Sequence, residues 1–561
     1  MKNYIVPNIV INEIMFNNSD KYAINEDDIV IFVGANNVGK SRALKDIKDF
    51  MLEENKEKTI IKSINITERE FNEQNLISYL EEYYSSTKTT YGDYNIQTEN
   101  GIVHSINQSN IRYYKDNPNI FYKTMYTFLS TDNRLNFTSL IDDTYKTKIL
   151  KYFEKNESDL KLLNSFLYEA FEKGVDVRNI FFQGSNKDVF KIGTKDEIDA
   201  TISSSRRTAY EKLDKLENLF EQGDGIRAAV AILSSLVANP HSLFLIDEPE
   251  SFLHPPQARL LGDYIVKLSK GKQCFIATHN IDIIRGIIDS DSSRVKIFKI
   301  NRIGSNNEFH LLKNESVKEI SLNKHLKYTN ILNGLFYDKV VLCENEADCK
   351  FFSAILENIN LKSYQSSLFC GVGGKDQFKN IIPMLIDLNI DYAVISDIDL
   401  IFDKDKMRLL LENINGADYE TIKENHQTFL KEYYNDIEPD IKTVEEVIKE
   451  ILDELKDIEY LTSENKKKIR NITKEATSTD KLKKYGINLI KEKYYYKFYE
   501  EVDNYLKKFN IYLLDYGEIE SLNPSIKSKH SDNWVRKMFE DYPDLNNHIY
   551  DKAKKYLNKI F

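Results

Sequence analysis

Cysteine is scarce in this chain and none of it is paired in sequence. Cys274, Cys343, Cys349 and Cys370 lie scattered, with no Cys-x-x-Cys spacing. That excludes a disulfide framework or a zinc ribbon and points to buried thiols in a reducing cytoplasm. Proline (10) and glycine (20) are thin over 561 residues, so no Pro- or Gly-rich linker separates domains. No apolar run reaches the roughly 18 residues of a membrane-spanning helix. The opening MKNYIVPNIVINEIMF lacks a basic region followed by an apolar stretch and a small-residue cleavage site, so no membrane contact and no secretion signal are expected. A basic excess is missing too, because the formal net charge is −11. That total argues against a general nucleic-acid footprint. It leaves room for a local basic surface, since an acidic metal site lowers the total without touching the rest of the surface.

What is present suffices for a folded core: 41% of residues are hydrophobic and 29% charged, outside the range of disordered chains. Length alone suggests roughly three or four domains, yet the pattern restarts only once. Residues 29–51 read as a buried strand, a glycine-rich turn and a helix with apolar positions Ala43, Leu44, Ile47, Phe50 and Met51. From 226, IRAAVAILSSLVA, SLFLIDE, PPQARLLGDYIVKLS and CFIATHN alternate helix and strand, which predicts a parallel sheet with crossover helices. VKIFKINRIGSNNEFHLL reads as a closing hairpin. A second alternating unit begins near Asp338 with KVVLCE, ADCKFFSAILENI, SLFCGVGG, DQFKNIIPMLIDL and DYAVISDID, and NIYLLDYGEIE returns as a late strand. The expected organisation is α/β throughout. Residues 1–325 form a first domain with a mostly helical insertion over about 138–222, carrying a short β insert near NIFFQGSNKDVFKIG. Residues 326–561 form a second domain with a helical insertion over about 404–508.

The first chemical motif is GANNVGKS. Gly34, Gly39, Lys40 and Ser41 fit G-x-x-x-x-G-K-[ST], between a strand and a helix as the motif requires. Its glycines, with Asn37 in the turn, let backbone N–H groups curl around phosphate oxygens. Lys40 reaches the β/γ-phosphates of ATP and Ser41 ligates Mg2+. SLFLIDEPESFLHP supplies the partner strand end. Asp247 holds the Mg2+ and Glu248 polarises the attacking water. CFIATHN ends in His279, placed to sense a γ-phosphate. His254 reads as structural. Arg134, in TFLSTDNRL, is a basic residue read as structural or surface more readily than functional.

These segments resemble an ATPase of the ABC/SMC class. DEPESFLHP resembles its Walker B and D-loop, His279 its switch histidine, and EQGDGIRAAVAIL a degenerate signature loop with Gly223 and Gly225 opening a helix. The resemblance implies that this loop caps ATP bound to another subunit. The departure is the missing Ser-Gly-Gly.

The second unit places acids at strand ends: Glu344, with Asp348 in the next helical turn; Asp397 and Asp399, two apart; and Glu518 and Glu520, two apart. Alternation along a strand puts residues two apart on one face. Carboxyl ends of neighbouring parallel strands line one crevice, so the three acidic ends are expected to converge. Carboxylates gathered there call for one or two Mg2+ or Mn2+ ions, which suit phosphodiester hydrolysis. Lys529, in SIKSKHSDNWV, is the candidate cation for the scissile phosphate. The set resembles a Toprim domain, with GVGGKDQF as its glycine-rich element and Asn345 standing where most Toprim domains carry glycine.

An ABC-type ATPase followed by Toprim resembles the overcoming-lysogenisation-defect (OLD) family of ATP-dependent nucleases, with relatives among Gabija, retron-associated and PARIS-type defence proteins. The resemblance implies catalytic roles for Glu248, His279, Glu344, Asp397 and Asp399; Lys529 is the choice if SIKSKHSDNWV supplies a catalytic lysine rather than a basic loop that touches the backbone or solvent. It implies DNA as substrate, anti-phage defence, and a dimer or tetramer built through the ATPase domains, with a second defence protein or an RNA as a further partner. Two other readings compete: topoisomerase or primase chemistry by the Toprim unit, for which no companion domain is legible, and an ATP-driven sensor with an inactive Toprim domain.

Overall fold

The computed structural model describes residues 6–561 except 53–56, 84–88, 98–102, 108, 118–121, 123–124, 139–143, 183–184, 203–205, 304–305, 314, 318–321, 323–329, 438–443, 457–460, 476–478, 527 and 529–530. The chain divides into two compact units, Met1–Phe336 and Tyr337–Phe561. The sequence pattern had set the division near 325. The Asn330–Phe336 turn buries Ile331, Leu332 and Leu335 and falls within the first unit.

The first unit is built on a six-stranded sheet. Its order is Asn306–Leu311, Val295–Ile303, Ile29–Val33, Gln273–Ala277, Leu243–Asp247, Tyr126–Leu129. All neighbours are parallel except the Val295–Leu311 hairpin, which is antiparallel. The central strands IVIFV and QCFIA are buried at every position. Strands covered on both faces read as continuous apolar runs rather than alternating ones, which is why they stood out. The insertion differs from the mostly helical expectation. Lys173–Phe182 and Ser185–Thr194 pair antiparallel over ten positions, and Glu217–Asn218 adds a third short strand. The strand starts at Lys173, six residues before the stretch read as β. Val175 and Val177 alternate into the core, a period-2 signal too short to register beside the preceding helix Glu157–Phe171.

The second unit has a four-stranded parallel sheet in the order Ser367–Gly371, Lys339–Cys343, Asp391–Ser396, Ile511–Leu513. Helices Glu346–Ile359 and Phe378–Asp387 make the crossovers. The described part of the insertion is helical, from Lys404–Glu412 to Tyr496–Lys507. The core gathers Phe351, Phe352, Ile395 and the chain's single tryptophan, Trp534, which is fully buried. Among the described residues no helix is long and apolar enough to cross a membrane.

Candidate active sites

The phosphate loop follows the Ile29–Val33 strand and caps the helix Lys40–Met51. Gly34 and Gly39 are required by geometry. Gly34 has φ +145°, and a Cβ there would lie 2.3 Å from the Ile300 carbonyl oxygen. Gly39 has φ +107°, with the Ile60 side chain 2.5 Å from where its Cβ would be. Asn37 takes φ +65° in the turn. The Lys40 ammonium folds over the loop, donating to the carbonyls of Gly34 at 2.9 Å and Ala35 at 2.8 Å. Burial lowers its pKa, opposed by the charges of Glu248, Glu250 and Asp247. Ser41 Oγ donates to Asp247 Oδ1 at 2.8 Å. Burial raises the Asp247 pKa against the pull of that bond.

Asp247 pairs in register with Ala277, so the acidic strand end and the His279 strand end stand side by side. Glu248 takes a left-handed φ of +47° while its N–H donates to the Ala277 carbonyl at 2.8 Å. A non-glycine residue held there stores strain, a feature concentrated at functional sites. His279 Nδ1 lies 3.6 Å from Glu248 Oε1 and 3.3 Å from Glu250 Oε1.

Glu250 was not singled out in the sequence. It is 5% exposed, and its Oε1 accepts from Thr278 Oγ1 at 2.7 Å and from the His279 N–H at 3.2 Å. Burial raises its pKa. In the letters DEPE, nothing distinguishes a buried acid from a solvated turn residue.

Arg134 is fully buried. Its guanidinium donates to the carbonyls of Leu129 at 3.1 Å and Glu248 at 3.0 Å, and to that of Asp247. Burial brings its pKa down to about 10. It braces two strand ends rather than facing a ligand. His254 caps the helix Pro255–Leu268, its N–H donating to Gln257 at 3.2 Å. Gly223 caps the helix Asp224–Ala238, and a Cβ at Gly225 would fall 2.5 Å from the Phe252 carbonyl. The signature-like loop therefore packs closely on its own D-loop.

In the second unit, Glu344 follows the Lys339–Cys343 strand and Asp397 follows Asp391–Ser396. Glu344 Oε1 accepts from the Asp397 N–H at 2.9 Å and Ser396 Oγ at 2.8 Å. Asp399 reaches the same place by another route than strand alternation. The strand ends at Ser396, and Asp399 sits in a 3-10 turn over Ile398–Phe402 that Asp397 caps. Among the described residues Glu344, Asp397 and Asp399 form the one cluster of three or more His, Cys, Asp or Glu side chains close enough to share a metal ion, each offering an oxygen within 4.8 Å of the others. Burial, then the neighbouring Glu344 charge, raises the Asp397 pKa well above the usual carboxylate range.

The other expected ligands fall outside this three-residue cluster. Asp348 caps its own helix, accepting from the Asn345 N–H at 3.0 Å, and burial pushes its pKa up to about 7. The last strand ends at Leu513, so Glu518 lies beyond it, capping the 3-10 turn Ile519–Leu522. Glu520 accepts from Ser531 Oγ at 2.7 Å. Lys529 lies outside the described residues. Asn345 has φ −133°, an extended conformation any residue adopts, so the replacement of glycine costs the turn nothing. The glycine-rich element clamps the Glu344 backbone: the N–H groups of Gly373 and Gly374 both donate to the Glu344 carbonyl at 3.0 Å.

Two lysines unassigned in the sequence enter the acidic centre. Lys375 Nζ bonds Asp399 Oδ1 and lies 3.6 Å from Glu344 Oε1. Lys483, from the helix Thr479–Tyr485 near the end of the insertion, lies 3.1 Å from Asp399 Oδ2, 3.3 Å from Glu518 Oε2 and 3.5 Å from Asp397 Oδ2. Lys375 was visible inside GVGGKDQF. Lys483, in a lysine-rich helix more than 80 residues from Asp399, carried no signal.

A P-loop ATPase unit followed by a Toprim unit is the class of protein that this fold and these sites define. Residues 29–285 match the model described as "AAA domain, putative AbiEii toxin, Type IV TA system". Residues 335–399 match "Overcoming lysogenization defect protein-like, TOPRIM domain". One chain thus carries a match to an AAA-type ATPase domain and, after it, a match to a Toprim domain similar to that of the overcoming-lysogenization-defect protein. It is 24% identical over 283 residues to Endonuclease GajA of Bacillus cereus (strain VD045). The match covers 46% of this chain and 47% of the relative, so it spans about half the relative's length. Among solved structures, an Smc head bound to the C-winged helix domain of ScpA aligns at 13% identity with TM-score 0.32, over 54% of this chain and 98% of that one. The SMC head domain from Thermotoga maritima aligns at 13% with TM-score 0.28, over 55% and 100%.

Proposed function

We propose that this chain is a nucleotide-regulated, divalent-metal-dependent DNA endonuclease of the OLD type. It acts in the bacterial cytoplasm against phage, as a homo-oligomer assembled through its ATPase domains. One observation carries the reading: Glu344, Asp397 and Asp399 bring carboxylate oxygens within 4.8 Å of one another in a chain that also holds a complete phosphate loop. Carboxylates so close repel unless cations lie among them, and two ammonium groups do. The all-oxygen donor set and its charge fit Mg2+ or Mn2+. A divalent ion bound there supplies Lewis-acid stabilisation of a phosphodiester and a more acidic water. Glu344, Asp397 and Asp399 hold it, and Glu344 is fixed by the bonds from Asp397 and Ser396.

In the ATPase unit the backbone of Gly34–Gly39 and the Lys40 ammonium bind the phosphates. Ser41 and Asp247 hold the accompanying Mg2+, Glu248 takes the proton of the attacking water, and His279 faces the same space. The Gly223–Gly225 loop meets nucleotide bound to a second copy. Nucleotide state then sets the arrangement of copies by its differential affinity for the two arrangements, and that arrangement admits DNA to the acidic centre. A second defence protein or an RNA supplies the trigger.

The test is purified protein on supercoiled plasmid with Mg2+ or Mn2+, with and without ATP, beside Asp397→Ala. Nicked or linear product that disappears in the variant supports the endonuclease. The two lysines filling the acidic centre favour a second reading, an ATP-driven sensor with an inactive Toprim unit. That reading expects no metal-dependent product in any lane, whereas topoisomerase chemistry would leave relaxed closed circles.

A further inference from the structure

Glu248 is held in a backbone conformation that its local sequence disfavours. Its φ is +47°, in the left-handed region that is costly for a residue with a side chain. Pro249 follows it, and a residue before proline is normally extended. Contacts from outside the turn keep it there. Its N–H donates to the Ala277 carbonyl at 2.8 Å. Its carbonyl accepts from the Ser251 N–H at 3.0 Å within the turn and from Arg134 Nη2 at 3.0 Å. Arg134 Nη1 donates to the Asp247 carbonyl and, at 3.1 Å, to that of Leu129. The Asp247 carbonyl belongs to the peptide before Glu248 and the Glu248 carbonyl to the peptide after it. One rigid guanidinium plane thus fixes both peptides that flank the Glu248 Cα, and their orientations set where the side chain leaves the backbone.

Arg134 is itself fixed. It is fully buried, and its helix Thr131–Thr138 is tied at the far end by Arg227, which donates to Thr138 Oγ1 and to the Leu135 carbonyl, both at 3.0 Å. The hydrogen-bond acceptors of Arg134 are all neutral, Thr131 Oγ1 at 3.3 Å being the fourth. No bonded carboxylate offsets the burial of its charge. An apolar side chain would fill the space between two strand ends at less cost. What it would lack is the planar pair of donors.

We propose that Arg134 is a positioning residue for ATP hydrolysis: it holds the main chain of Glu248 so that the carboxylate, beside His279, faces the attacking water. The inference rests on the reading of Glu248 as the residue that takes that water's proton, and it adds the part that aims it.

The experiment measures phosphate release in single turnovers with Mg2+ and ATP, beside fluorescent-ATP titration, in a double-mutant cycle of the full chain. Arg134→Lys keeps the charge and replaces the fork by one donor centre. It is expected to slow hydrolysis by roughly 10- to 100-fold with nucleotide affinity within about twofold of wild type. In Glu248→Gln, itself slowed by at least about 100-fold, adding Arg134→Lys is expected to change the remaining rate by less than about twofold. A wild-type rate in Arg134→Lys, a loss of affinity that matches the loss of rate, or the same further slowing in Glu248→Gln overturns the proposal and leaves the role of Glu248 standing. Glu248→Gln hydrolysing at the wild-type rate overturns both. If circular dichroism shows Arg134→Lys unfolded, Arg134→Met takes its place under the same criteria. Both unfolded would make Arg134 a residue of the fold alone and overturn the proposal.

Discussion

Ser41 and Asp247, 206 residues apart, are joined by a 2.8 Å hydrogen bond between the phosphate loop and the neighbouring acidic strand end. The bond aligns the two side chains that share a Mg2+ in the proposed nucleotide site, so the metal position is organised by the fold itself. Lys40 shows the same preparation. Its ammonium rests on two loop carbonyls and needs only to exchange them for phosphate oxygens.

Lys40→Ala removes the one side-chain cation of the loop. ATP affinity is expected to fall by at least about tenfold, which is ~1.4 kcal/mol, with plasmid cutting losing its response to ATP. Fluorescent-nucleotide titration measures the first effect, and unchanged affinity would refute the nucleotide site.

Asp397→Ala separates the two activities. It takes one of three converging oxygens from the acidic centre and lies in a different unit from Lys40. Metal-dependent cutting is expected to fall by at least about 100-fold, ~2.7 kcal/mol of transition-state stabilisation, while ATP hydrolysis per chain stays within about twofold of wild type. Paired plasmid and phosphate-release assays check it.

Glu250 positions His279 through its bonds to Thr278 and the His279 backbone. Glu250→Ala is expected to slow ATP hydrolysis by roughly 10- to 100-fold while leaving nucleotide affinity nearly unchanged. Glu250→Gln, which keeps an acceptor for both donors, is expected to recover most of the rate. Equal loss of binding and turnover in both variants would mean that Glu250 only supports the fold.

Asp348 gives the second unit a pH-dependent stability. Burial pushes its folded pKa up to about 7, above the roughly 3.9 of an unfolded chain. Between those values the folded state holds more protons, so stability falls as pH rises through that window, by an amount on the order of 4 kcal/mol. Below the window the carboxyl is protonated in both states and the penalty is absent. Urea unfolding in EDTA, followed by Trp534 emission, is expected to show a lower midpoint at pH 7.5 than at pH 5. Asp348→Asn, which keeps an acceptor for the Asn345 N–H, is expected to flatten that difference. Trp534 is the chain's single tryptophan and is buried in the second unit, so its emission reports this unit alone.

Much of both sites was legible because it obeys local rules. A fully buried parallel strand is a continuous apolar run, and the residues just after it are where function gathers. IVIFV led to Lys40, LFLID to Asp247, QCFIA to His279 and KVVLC to Glu344. Where a rule was stretched one element too far, it failed. Asp399 was placed by strand alternation but arrives on a 3-10 turn, and Glu518 and Glu520 were placed on a strand that ends at Leu513. Apolar periodicity marks where a strand is buried, while backbone hydrogen bonds set where it stops.

By itself, then, the sequence determined the two alternating units, the phosphate loop and the acidic strand ends, because each is written in contiguous residues of fixed spacing. Only the tertiary structure decided which charges meet. It buried Glu250 beneath His279, turned Arg134 inward to brace two strand ends, gave Asp348 to its own helix cap and brought Lys483 from the insertion onto Asp397, Asp399 and Glu518. Those pairings depend on how elements far apart in the chain pack, and the energy of a charge depends on its burial and its neighbours rather than on its place in the sequence.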